Sequence, residues 1–262
     1  MSTQTNTLEP GMIDISQSRR PSLPKLIGVE VRKMTDTRAG LWLLITIGVI
    51  TVLANTLFLI FGDSDDLKFM AFLQFAAMPQ GILLPVLAVL LVTQEWGQRT
   101  GLVTFSLVPH RSKVLAAKLI AAVLFVLAAF VVAVVVALVL TPIAGAPDPW
   151  EYVTAPYMAR IVLAMVLGAL WGYAFGVALL NSAFAIVAYF AVPTVVSIVT
   201  EIWKSMQENL LWFDLSTSSS WLFDPTRSLS GEQWAQIGTG VLIWIVLPMV
   251  IGWFRVNRME IK

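Results

Sequence analysis

Glu95 and Arg99 stand four residues apart in the stretch QEWGQRTGLVTFSLVPHRSKVLAAK, residues 94 to 118. At that spacing opposite charges meet on one helical face. Trp96, Val103 and Leu107 add apolar surface, and Pro109 ends the element. Two readings fit: a short amphipathic helix with a charged rim and an apolar ridge, or a solvated loop joining two apolar runs. Elsewhere, residues able to do chemistry are few. Thr51 and Asn55 share a helical face with Gly48, and Gln74 and Gln80 punctuate the next apolar run. Such groups line a path for a solute or, more commonly, hydrogen-bond between membrane helices. The single histidine, His110, reads as a plain surface residue.

The absent motifs narrow the choice. No G-x-x-x-x-G-K-[ST] loop, no H-E-x-x-H and no G-x-S-x-G occurs, and the chain has no cysteine. ATP hydrolysis by this chain alone, the usual metal sites and serine hydrolysis are therefore not expected. No ionisable residue sits at the middle of an apolar run. Arg160 lies near the outer end of its run, where a long side chain can snorkel. A proton-coupled carrier normally needs such a mid-membrane group.

The elements that must position these residues are hydrophobic helices. Of 262 residues, 58% are hydrophobic and 13% charged, with a mean hydropathy of +0.81; soluble domains carry about 25% charged residues. Crossing a hydrocarbon core takes roughly 20 apolar residues per helix. Six runs qualify, at about 41–61, 72–93, 114–140, 157–180, 183–200 and 237–254. The expected fold is all-α, a polytopic integral membrane protein of six transmembrane helices. Pro79, Gly81 and Pro85 interrupt the second run. Ala164, Gly168, Gly172 and Gly176 form a small-residue ridge along the fourth, suited to close helix packing. Only Asn181 to Ala183 separate the fourth run from the fifth, which makes a tight hairpin.

Charge sets the orientation, because basic residues collect on the cytoplasmic side of short loops. With the N-terminus inside, all of the 17 basic residues except Lys68, Arg160, Lys204 and Arg227 lie inside. Both termini are then cytoplasmic, 94–113 is the largest inner loop, and 201–236 is an extracellular element. Residues 1–22 have no apolar core, so they read as a disordered cytoplasmic tail and not as a signal peptide. From 23 to 38, Leu23, Leu26, Ile27, Val31 and Met34 recur at helical spacing, with Lys25, Glu30, Arg32 and Lys33 on other faces. That pattern predicts an interfacial helix resting on membrane lipid. On the outer side, DPWE at 148–151 and SGEQ at 230–233 carry capping signals for helix starts. EIWKSMQENLLWF, 201–213, extends the fifth helix along the outer interface.

The inner loop resembles the first cytoplasmic loop of type-2 permeases of ATP-binding-cassette (ABC) exporters. The resemblance rests on Glu95, Thr100, Gly101, Leu102, Leu107, Pro109, Arg111, Lys113 and Ala116 to Lys118. The approach to the first run, with Glu30, Arg32, Lys33, Thr37 and Arg38, is similar to the family's as well. The order of spans agrees along 23–262, read as one six-span permease domain. The resemblance implies a type-2 ABC exporter permease fold in the bacterial inner (plasma) membrane. Residues 94–113 would then be the coupling element, with Glu95, Trp96, Arg99, Thr100, Gly101 and Val103 seated on an ATP-binding subunit. That subunit would hold ATP and Mg, this chain holding no cofactor. A second permease copy or a related permease would complete the assembly. The implied cargo is an amphipathic, drug-like or lipid-like molecule with Thr51, Asn55 and Gln80 along its path. The same fold also serves ions, peptides and glycan precursors. A non-transporting membrane scaffold or immunity protein is the reading from another class. Nothing in the sequence calls for nucleic acid.

Overall fold

The computed structural model describes residues 21–97, 110–203 and 207–259. Their regular elements are helical throughout: α1 Leu23–Asp36, α2 Arg38–Phe61, α3 Phe69–Gly97, α4 Arg111–Ala144, α5 Ala155–Leu179, α6 Ser182–Ile202, the short α7 Gln207–Leu210 and α8 Leu215–Ser220, and α9 Gly231–Arg258. Six of these, α2 to α6 and α9, are long and apolar enough to cross a membrane. The chain is a multi-pass membrane protein. Of the 18-residue apolar windows, the α5 window is 67% buried and that of α3 56%, against 17% for α2 and 6% for α6. Thus α3 and α5 form the centre, and the other spans turn most of their surface outward, where lipid solvates it.

Small residues make that centre possible. A Cβ built on Gly172 would lie 2.5 Å from the Pro85 carbonyl oxygen, and one on Gly176 would lie 3.3 Å from Val89 Cα. The α5 ridge therefore seats directly on the α3 backbone. Gly168 stands further off, with Pro85 Cγ 3.8 Å from its virtual Cβ. Pro85 has no N–H to give the Gly81 carbonyl. The hydroxyl of Tyr189, from α6, donates to that carbonyl instead at 3.4 Å.

The amphipathic helix α1 is shorter than its pattern predicts. It ends at Asp36 because Thr37 turns extended, and the Thr37 hydroxyl accepts from Gly40 N at 3.3 Å to cap α2. Gly40 is needed there, since a Cβ would collide with the Met34 carbonyl. The buried stripe of α1 is Leu26, Glu30 and Met34. Glu30 thus belongs to the packed face and not to an outer one as expected.

At the far end of the bundle, the 148–151 stretch is a turn and not a helix start. Asp148 and Tyr152 take positive φ, 47° and 61°, whereas an N-cap needs extended backbone. Glu151 reaches across to the ammonium of Lys68 instead of back to its own helix. The orphan Phe69 N–H of α3 donates to the Pro149 carbonyl at 3.0 Å. The 230–233 signal does make a cap: the Ser230 hydroxyl accepts from Gln233 N, and the Gln233 side chain accepts from Ser230 N. The fifth span does not run on as one outer helix, because α6 stops at Ile202. Arg160 donates to the carbonyls of Arg227, at 2.7 Å, and Asp224, at 3.1 Å, pinning the 221–230 strap onto α5.

Candidate functional site

Two polar clusters interrupt the apolar packing. The first lies where α1, the last turn of α3 and the first turns of α4 meet. Lys118 enters from α4, seven residues after its start, and is fully buried. An ammonium has three N–H donors, and Lys118 uses each: on Glu30 Oε2 at 2.7 Å, Glu95 Oε1 at 3.1 Å and the Leu91 carbonyl at 2.8 Å. Lys33 adds bonds to Glu30 Oε1 at 2.9 Å and Glu95 Oε1 at 2.7 Å. The side chains of both glutamates are 4% exposed. Two buried carboxylates meet two ammonium groups, so the cluster is neutral, which a low-dielectric site requires. At Lys33, burial works against the charged form, but the Glu95 and Glu30 carboxylates prevail and hold its pKa above the ordinary lysine value.

The same end of the bundle is tied in four further places. The Thr93 and Ser182 hydroxyls lie 2.7 Å apart, joining α3 to the start of α6. Arg111, the first residue of α4, donates to the Val256 and Met259 carbonyls that close α9. Arg255 of α9 donates to the Ala178 carbonyl in the last turn of α5 at 2.8 Å. Both arginines meet the negative ends of helix dipoles. Trp253 Nε1 donates to the Ser112 hydroxyl at 3.1 Å.

Of the residues expected to couple to a partner, Glu95 is occupied inside the chain. It offers no rim, because its carboxylate faces Lys33 and Lys118. Trp96 is half-buried against the core. Arg99, Thr100, Gly101 and Val103 lie outside the described residues, and with them any Glu95–Arg99 pair. Sequence reasoning missed Lys118 and Glu30 as partners. Their one local signal was a charge inside an otherwise apolar helical stripe: Glu30 between Leu26 and Met34, and Lys118 within VLAAKLIAAV.

The second cluster sits halfway along the spans. Thr51, Asn55 and Gln80 are each fully buried. Gln80 Nε2 donates to the Thr51 hydroxyl at 3.2 Å and to the Ala129 carbonyl of α4 at 3.1 Å. Asn55 Nδ2 donates to the Thr51 carbonyl at 2.9 Å. This brings the three expected path residues together across α2, α3 and α4. Asn55 Oδ1 and Gln80 Oε1 have no donor among the described residues. A buried acceptor left so costs about 1–3 kcal/mol. Gly168, Gly172 and Gly176 lie away from both clusters, on the α3–α5 contact.

No group of three or more His, Cys, Asp or Glu placed to hold a metal ion occurs among the described residues. Comparison with protein-family models, with curated proteins and with solved structures found no match.

Proposed function

We propose that this chain is the membrane-spanning permease subunit of an ATP-driven ABC exporter. It pairs with a second permease copy, draws on ATP and Mg held by a separate ATP-binding subunit, and moves an amphipathic or lipid-like molecule outward. The basic end of the bundle is its cytoplasmic face, by the distribution of Lys and Arg.

One observation carries the reading beyond the sequence resemblance. The helices flanking 98–109, α3 and α4, are clamped to each other and to α1 by the buried Glu30–Lys33–Glu95–Lys118 cluster. Motion of a partner must pass through packed contacts that respond as a unit. A pull on 98–109 would reach three helices at once, and α9 through Arg111. Glu95 and the half-buried Trp96 then serve as inner anchors of the coupling segment, and Arg99, Thr100, Gly101 and Val103 would meet the partner.

The test is co-purification from the native membrane, followed by reconstitution with any ATP-binding subunit that the chain retains. The purified permease should show no ATPase activity alone, and stimulated activity once the subunit is added. Arg99→Glu should weaken co-purification and stimulation, while Asp65→Lys at the opposite end should not. Hydrolysis by the permease alone, or equal behaviour of the two variants at wild-type level, would defeat the proposal.

A further inference from the structure

The middle of α2 is held by a contact that leaves polar atoms bare. Asn55 Oδ1 and Gln80 Oε1 each have under 1 Å² of accessible surface and no donor, and they are two of the four such atoms among the described residues. With so little surface, no water molecule fits against either oxygen in this packing. Turning the amides over brings no relief. Asn55 Nδ2 faces the Thr51 carbonyl and Gln80 Nε2 faces that of Ala129, so a flip would set oxygen against oxygen. The packing beside them is loose as well. Toward the α1 end of the bundle, a cavity of about 140 Å³ separates Leu44, Ile47 and Gly48 of α2 from Leu84 of α3 and Phe125 of α4. A Cβ at Gly48 would meet nothing within 4 Å. The far end of α2 is pinned, with the Phe58 ring stacked on Phe75 at 4.0 Å and edge-on to Phe72 at 5.4 Å. Its near end joins α1 through the extended backbone of Thr37.

We infer that this seam is a conformational device with a second state, in which α2 parts from α3 and α4 between Ile47 and Asn55 and water reaches Thr51, Asn55 and Gln80 through the cavity. The closed packing leaves two acceptors bare, and a buried acceptor without a donor forfeits the hydration that opening restores. Opening gives up little in exchange, because Ile47 is the only apolar side chain that α2 buries. Pinned at Phe58 and jointed at Thr37, the helix can tilt between those two points. The α3–α5 contact is built in the opposite way, with Gly172 so close to the Pro85 backbone that not even a methyl fits. One side of α3 is therefore a fixed contact and the other a contact that opens. The open state places an aqueous crevice halfway through the bundle and inside one chain. It follows from the packing of this chain alone and holds whether or not the chain is an exporter.

The test uses the full chain in lipid nanodiscs without any partner subunit, so its outcome is separate from that of the ATPase experiment. The natural chain has no cysteine, which lets one introduced thiol report alone. Thr51→Cys keeps the side chain's size at a position with no exposed surface, and Ala169→Cys is the control on α5, 1% exposed in the fixed contact. The reagent is a permanently charged methanethiosulfonate, which travels in water and not in lipid. Thr51→Cys should react on the order of tenfold faster than Ala169→Cys, since only the first lies on the seam that opens. Two substitutions at Asn55 then remove one bare acceptor. Asn55→Leu keeps the branched shape and Asn55→Ala leaves room, which guards against overpacking. Each should slow the labelling of Thr51→Cys about tenfold, because the closed state no longer carries that atom's cost. Gly48→Leu, which has space for its side chain, should slow it too by filling the route. Labelling of Thr51→Cys no faster than that of Ala169→Cys, or labelling that neither Asn55 variant slows, would overturn the inference.

Discussion

The Lys118 ammonium lies 2.7 Å from Glu30 Oε2, across 88 residues of chain, with no exposed surface. That pair joins the amphipathic helix α1 to the apolar helix α4. Removing one member of a buried ion cluster leaves its partner's charge uncompensated, at a cost of about 3–5 kcal/mol. Lys118→Met should therefore lower the denaturation midpoint sharply in detergent. The double variant Glu30→Met, Lys118→Met should recover part of the loss, because it restores neutrality. A double variant no better than the sum of its parts would show that the two charges do not interact as described.

Gly172 and Gly168 make a paired test of the α3–α5 contact. Gly172→Ala places a methyl 2.5 Å from the Pro85 carbonyl oxygen and must push the helices apart, whereas Gly168→Ala meets nothing closer than 3.8 Å. Overpacking of this kind costs about 1–3 kcal/mol. Thermal melts should show a clear fall for the first variant and little change for the second.

The Lys68–Glu151 bridge carries a pH dependence of known sign. The hydrogen bond from Lys68 holds the Glu151 carboxyl below its ordinary value of 4.5, and the bond to Glu151 holds Lys68 above 10.5. The carboxylate's contribution is present above 4.5 and fades as pH falls through its lowered pKa. The ammonium's is present below 10.5 and fades as pH rises through its raised one. Because the bridge is exposed, the effect is small. Glu151→Gln should flatten the acid side of the stability profile without altering stability in the middle of the window more than slightly. An unchanged acid limb would assign the dependence to other carboxylates.

Orientation is open to direct measurement, since the chain has no cysteine. Single cysteines at Lys25 and Arg99 should be reached by an impermeant thiol reagent only after the membrane is opened, and one at Asp65 should react in intact cells. Asp65 is preferable to Lys68, whose ammonium is held by Glu151. The reverse pattern would invert the topology drawn from the basic residues.

Membrane helices announce themselves in sequence because the bilayer imposes one local rule, about 20 apolar residues with every backbone bond satisfied inside the segment. All six runs correspond to helices for that reason. The Ser230–Gln233 cap was legible for a similar reason, since its donors and acceptors lie three residues apart. The small-residue ridge of α5 was legible too, although not the helix it would meet.

What the sequence by itself determined is therefore the membrane class, the number of spans and the residues with unusual chemistry for their surroundings. Tertiary structure alone decided what those residues do. Glu95 is 23 residues from Lys118 and Lys33 is 62 from Glu95, so nothing in their neighbourhood shows that they share one buried site. The same holds for Asp148 to Glu151, where a local capping pattern loses to the distant Lys68, and for Gln80, whose partners come from α2 and α4. Periodicity assigns a charge to the outer face, because an isolated buried charge is prohibitively costly. Only when helices pack and deliver the opposite charge does the inward position of Glu30 become the favourable one.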